Sequence, residues 1–170
     1  MGEYFKTAIG QDSHRFIDRV EDGPAAKTGK PLILGGLLIE DEVGLAGNSD
    51  SDAVLHALTN AVSGITGINV LGERADELCA AGQTDSVVYL KAALKDLPEN
   101  VRVIHVSISI EAARPILAPH IEPMKRSLAR IMQLPIQSIG ITATSGEGLS
   151  DYGRGDGIMV TCVISVREWV

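Results

Sequence analysis

The sequence predicts an α+β fold: a mixed β-sheet with helices packed on one side, in a single domain over residues 1–170. Three observations carry this. The hydrophobic periodicity runs strand, hairpin, helix, helix, strand, helix, strand, strand, which is neither a regular alternation nor a single class. A chain of 170 residues falls within the usual single-domain range. Its 45% hydrophobic residues with only 4% aromatics predict an aliphatic core.

Bulk charge and cysteine usage exclude several classes. A net charge of −7, with no basic cluster beyond Lys125-Arg126, argues against nucleic acid as a partner. Cys79 and Cys162 have no metal-motif spacing, and the N-terminus shows neither a secretory apolar run nor a myristoylation pattern. No stretch of about 18 apolar residues is present. The expectation is a cytoplasmic protein with free thiols and no membrane span.

The first strand, residues 6–13, ends in Asp12-Ser13-His14. Side chains two apart on a strand point the same way, so Asp12 and His14 form a two-toothed clamp suited to a divalent metal; a solvated pair beside a loop would read the same. Residues 15–30 read as a mobile loop of charges, glycine and proline. Two aliphatic runs flank Gly35-Gly36 and predict a hairpin, because paired glycines accept the positive φ of a tight turn.

Asn48-Ser-Asp-Ser-Asp-Ala-Val-Leu-His56 reads as a polar turn entering a helix that runs to about Gly64. Ser49 or Asn48 is the expected cap, with Asp50 and Asp52 in the first turn and Val54, Leu55, Leu58, Ala61 and Val62 along the apolar stripe. Asp52 and His56 are four apart, so the carboxylate could orient the imidazole, or both could face a common ion. A capped surface helix with an incidental histidine is the alternative.

A short helix is expected within residues 71–79, then a turn and cap at residues 82–86 and a helix from Ser86 to about Leu97, stopped by Pro98. Residues 101–110 alternate as a strand on which His105 reads as structural. A proline-rich turn leads to a helix with Ile121, Met124, Leu128 and Ile131 on one face and Lys125, Arg126 and Arg130 on the other. Residues 138–144 and 158–166 are the last two strands. Between them lies the glycine-rich run 145–157, readable as a phosphate-approaching loop in which Glu147 could hold a hard cation, or simply as a hairpin loop.

Taken in order, Asp-x-His after the first strand, Ser-Asp-x-Asp-x-x-x-His at a helix start, and Thr-Ser-x-Glu followed by Gly-Arg-Gly-Asp-Gly before the last strand resemble the 2-C-methyl-D-erythritol 2,4-cyclodiphosphate synthase family. The likeness covers nearly the whole chain, including the Gly35-Gly36 hairpin and the Pro119-His120 turn. It implies a homotrimer with active sites between subunits and a phosphorus-oxygen lyase of the non-mevalonate isoprenoid pathway. The 2-phosphate of 4-diphosphocytidyl-2-C-methyl-D-erythritol 2-phosphate would attack the β-phosphate, closing a cyclic diphosphate and releasing CMP.

By the same resemblance Asp12, His14 and His56 would ligate Zn2+ or another divalent cation, and Glu147 a second cation, Mg2+ or Mn2+, on the diphosphate. Asn48 and Ser145 would be catalytic. Asp12, Ser13, His14, Asn48, Ser49, Thr144, Ser145, Gly146, Glu147 and Arg154 would contact substrate, with Asp52 behind the metal ligands. The chain departs from the family pattern at Asn48, where a histidine is usual, at Ile116 and Asp151, and within residues 65–84. These departures leave two alternatives: an enzyme acting on another diphosphate ester, or a trimeric binding protein for a phosphorylated metabolite or isoprenoid near Arg154 and Asp156.

Overall fold

The computed structural model describes residues 2–20 and 29–170, so half of the loop expected at residues 15–30 lies outside the described residues, and its described start is not loop but the end of the first strand, a fully buried Phe16 and a 3-10 turn at Ile17–Arg19. The strands are β1 (Glu3–Arg15), β2 (Pro31–Leu34), β3 (Leu37–Val43), β4 (Val101–Glu111), β5 (Ile139–Thr144) and β6 (Gly157–Trp169). The helices are α1 (Ala53–Thr66), α2 (Glu73–Ala80), α3 (Ser86–Lys95) and α4 (Ile121–Met132). Every expected element is present, with β1, β4 and β6 each longer than the periodicity indicates.

The main sheet has strand order β1-β6-β4-β5, with β4 and β5 parallel and the other pairs antiparallel. It is therefore mixed, as expected. β6 sits inside, and its period-two pattern explains why: Ile158, Val160, Cys162, Ile164 and Val166 are all fully buried on one face. β1 and β4 place their own even-numbered residues opposite these, so Gly10, Asp12 and His14 share the covered face with Val106, Ile108 and Ile110. The helices and the β2–β3 hairpin join this face in one continuous aliphatic core. The opposite face is open, with Phe5 67%, Ile9 66% and Val163 37% exposed.

One expectation changes here. Residues 145–156 are not a hairpin loop: β5 is an edge strand and β6 a central one, so this segment crosses over β4. His105, read as structural, has its side chain exposed where the β4–β6 register shifts between Val103 and His105.

The α1 cap also differs. Neither Asn48 nor Ser49 caps the helix; Asp52 does, and Ala53 is the first helical residue. The reason is tertiary. Gly35 and Gly36 both adopt positive φ (61° and 70°) in the β2–β3 turn, which aims their N–H groups at Asp52. The fully buried carboxylate accepts from Gly35 N (2.9 Å), Gly36 N (2.7 Å), Val54 N (3.0 Å) and Leu55 N (3.0 Å). Burial pushes this carboxyl up to about 6 against the downward pull of those amides.

Asp52 is thus a clasp between hairpin and helix. Asp52→Ala strands four amide donors, three of them buried, and we expect a loss of about 2–4 kcal/mol in denaturant unfolding. Asp52→Asn should lose less, because one acceptor oxygen is kept. Equal losses for the two variants would contradict the clasp.

Candidate metal centre

Asp12 and His14 project from the covered face of β1, and His56 meets them from the second turn of α1. Three ligand atoms converge: Asp12 Oδ2 lies 2.9 Å from His14 Nε2 and 3.1 Å from His56 Nδ1, and the two ring nitrogens are 3.1 Å apart. Among the described residues this is the group of histidine and carboxylate side chains whose ligand atoms can hold one metal ion. A tetrahedral ion with bonds of about 2.0 Å needs ligand atoms about 3.3 Å apart, close to this triangle.

Each histidine is oriented by its other nitrogen. His14 Nδ1 faces the carbonyl of Ala46 at 2.9 Å; a carbonyl only accepts, so Nδ1 carries the proton and Nε2 presents a lone pair. That carbonyl is in place because Ala46 N donates to Arg15 O (2.8 Å) and Ile17 N to Gly44 O (3.0 Å), zipping residues 44–46 to the end of β1. His56 Nε2 faces Ser86 Oγ at 2.9 Å, on the first turn of α3, with Ser49 Oγ at 3.4 Å. Burial raises the Asp12 carboxyl, but its close contacts with the His14 and His56 rings outweigh this and bring the pKa down to about 2. A carboxylate and two imidazole lone pairs aimed at one point fit a divalent cation.

Asp52 does not orient His56, contrary to the reading from their spacing. Its carboxylate is engaged by the four amides above, and its link to His56 is a backbone one, His56 N donating to Asp52 O at 2.9 Å. The same cap changes the anion seat. With Val54 N and Leu55 N bound to Asp52, those two first-turn amides are not available to a phosphate, and the side chains of Asn48 and Ser49 are the donors left at the site.

Asn48 and Ser49 line a cavity of about 220 Å³ together with Asp12, His14 and His56. Its far wall comes from α2 and α3, through Ala75, Asp76, Cys79 and Tyr89. These wall residues were missed in the sequence because residues 65–84 carry no recognisable motif. Only the helical periodicity of residues 71–79, and for Tyr89 that of residues 86–97, marks them, and periodicity does not tell which neighbour a helix faces.

The remaining expected residues are elsewhere. Ser13 points away from the triad, into a hollow with Asp151 and Tyr152. Thr144 and Ser145 line another hollow with Ile116. Glu147 is exposed, and Ser145 Oγ donates to its carboxylate at 3.1 Å. Gly146 leads that turn, and Arg154 is paired with Asp151.

The register gives the separation. Ser13 pairs with Met159, Met159 with Glu111, and Glu111 with Thr144. Three strand spacings put the two ends of this row about 14 Å apart. Within one chain, then, the metal triad and the Thr144–Glu147 turn lie at the same end of the sheet but on opposite edges.

The two thiols differ sharply. Cys162 is fully buried and burial pushes its pKa up to about 12, whereas Cys79 is half-buried at the cavity wall, its thiol donating to Asn48 O at 3.4 Å. A disulfide reagent should titrate one thiol per native chain and two after unfolding. Two fast thiols in the native protein would contradict the packing of β6.

Comparison with known proteins agrees with this architecture. The YgbB family model matches residues 5–167. The 2-C-methyl-D-erythritol 2,4-cyclodiphosphate synthase of Chlamydia caviae is 46% identical over 166 residues, covering 97% of this chain and 90% of that protein; that of Chlamydia abortus is 44% identical over the same length. Among solved structures, the bifunctional IspDF from Campylobacter jejuni superposes with a TM-score of 0.83 at 27% identity, covering 99% of this chain and 43% of that one. A CDP-bound 2C-methyl-D-erythritol-2,4-cyclodiphosphate synthase gives 0.75 at 29% identity, covering 94% and 98%. With the family model spanning nearly the whole chain and relatives this similar along their length, the chain belongs to the YgbB family, that of the 2-C-methyl-D-erythritol 2,4-cyclodiphosphate synthases.

Proposed function

We propose that this chain, acting as one domain over residues 1–170, converts 4-diphosphocytidyl-2-C-methyl-D-erythritol 2-phosphate into the cyclic diphosphate and CMP. The observation that carries the reading is the convergence of Asp12, His14 and His56 in the wall of a cavity in a chain of this family. Those three residues would hold Zn2+ or a similar divalent ion. When bound, such an ion supplies positive charge to a phosphate oxygen as phosphorus is attacked.

The chain's own groups do the positioning. Asn48 and Ser49 offer neutral donors to phosphate oxygens at the cavity rim. His14 and His56 each donate their outward N–H to a protein oxygen, leaving the inward nitrogens unprotonated. Glu147, with Thr144, Ser145, Gly146 and Arg154, would hold the nucleotide side and a second cation, Mg2+ or Mn2+.

A homotrimer would unite the two halves. The open sheet face carries exposed Phe5, Ile9 and Val163 among polar residues, and assembly would cover these three. The separation of about 14 Å between the two edges of one sheet favours a site completed by a neighbouring subunit's turn. No helix among the described residues is long and apolar enough to cross a membrane.

The test is phosphorus NMR on metal-loaded protein with the cytidine diphosphate substrate. Cyclic diphosphate with stoichiometric CMP is expected. Substrate left intact at high enzyme concentration would refute the activity and favour the binding-protein reading, whereas turnover only of another diphosphate ester would show a shifted specificity.

A further inference from the structure

Behind His56, on the side away from Asp12 and His14, stands a polar chain that runs from buried Ser86 to half-buried Asp50. Ser86 is fully buried at the first position of α3. Its hydroxyl lies 2.9 Å from His56 Nε2 and in a short hydrogen bond to Asp50 Oδ1. Asp50 Oδ2 also accepts from Ser86 N at 3.0 Å, Asp50 Oδ1 from Asp52 N at 3.2 Å, and Asp50 N donates to Thr84 O at 2.8 Å. The carboxylate therefore ties the polar turn before α1 to the first turn of α3.

Proton counting gives this chain a direction. Ser86 Oγ has one hydrogen, and the Asp50 carboxylate can only accept, so the hydroxyl donates to Asp50. Its lone pairs then face His56, and the 2.9 Å contact is a hydrogen bond only if Nε2 carries the proton. That leaves Nδ1 bare and aimed at Asp12 and His14. We propose that Asp50 and Ser86 are positioning residues that hold His56 in its metal-binding tautomer, acting through the Asp50–Ser86–His56 hydrogen-bond chain. The inference rests on the reading of Asp12, His14 and His56 as a metal centre. It adds two residues that touch neither metal nor substrate.

Asp50→Asn tests the direction. Keeping the amide oxygen on Ser86 N places the NH2 group on Ser86 Oγ, which turns the hydroxyl round to donate to His56 Nε2 and favours the wrong tautomer. The opposite flip aims the NH2 group at the Ser86 N–H, 3.0 Å away in the native contact, a closer clash than the one the first flip makes with the Asp52 N–H at 3.2 Å. Ser86→Ala removes the relay, leaving His56 Nε2 with only Ser49 Oγ at 3.4 Å. Ser86→Thr keeps the hydroxyl.

Two readouts are needed. In metal-free protein, long-range proton–nitrogen NMR should show His56 as the Nε2–H tautomer in the native chain and in Ser86→Thr, and a shift toward Nδ1–H in Asp50→Asn. Chelator competition with Co2+ should show affinity lower by about 10- to 100-fold in Asp50→Asn and Ser86→Ala, and within about threefold of native in Ser86→Thr. Native affinity in both Asp50→Asn and Ser86→Ala, or an Nε2–H tautomer in Asp50→Asn, would overturn the proposal. So would equal losses in Ser86→Ala and Ser86→Thr. If the native chain itself fails to bind Co2+, the metal reading falls, and the tautomer measurement alone decides the role of Asp50 and Ser86.

Discussion

His56→Ala should reduce divalent metal bound at the triad from about one ion per chain to a trace and lower cyclodiphosphate formation by about 10³-fold or more. The loss is large because the triangle supplies three donors, and removing one leaves Asp12 and His14 as a bidentate site open to water. Stability should change far less, since the imidazole sits at the edge of the core beside the cavity rather than within it. His105→Ala is the matched control: its ring is exposed at the β4 bulge and its loss should leave zinc and turnover unchanged. Metal content by elemental analysis and single-turnover assay of the two variants decides the matter. Metal retained in full by His56→Ala would remove the ligand assignment.

Gly10→Ala is the second variant with a large expected effect, although Gly10 touches neither metal nor substrate. A Cβ at this position would lie 2.0 Å from Ala57 O, 2.3 Å from Ala61 N and 2.9 Å from Asn60 C. All three are backbone atoms of α1, so no rotamer change can relieve the clash and the helix must move away from β1 by about 1 Å or more. Asp12 and His14 ride on that strand and His56 on that helix. One methyl group therefore widens the triangle itself.

We expect a stability loss of about 2–3 kcal/mol in denaturant unfolding and a metal affinity at least about tenfold weaker. The two effects share one cause, which makes them testable together. Native-like metal affinity in a destabilised Gly10→Ala would show that α1 shifts without opening the site, against this account.

Much of the architecture was legible in the residues. Alternation along β6 marks a strand buried on one face, and Gly35-Gly36 marks the turn whose positive φ values the fold uses. The β1 pair was legible as well, since a period of two puts Asp12 and His14 on one face whatever that strand packs against. The short helix and a cap within residues 82–86, which the structure places at Asp85, were likewise local signals, read from residues adjacent in the chain.

What the sequence alone determined was thus the inventory of elements, the facing of Asp12 with His14, and the family pattern that draws in His56. Tertiary structure decided the rest. It chose Asp52 as the α1 cap, because only the folded hairpin turn brings two further amides to that carboxylate. It brought Ser86, 30 residues away, against His56, and ran the chain from β5 across β4 to β6. Local periodicity fixes which way a side chain points relative to its own backbone. The partner it meets depends on how elements distant in sequence pack, as at Gly10, where a missing side chain sets the distance between strand and helix and so the size of the metal triangle.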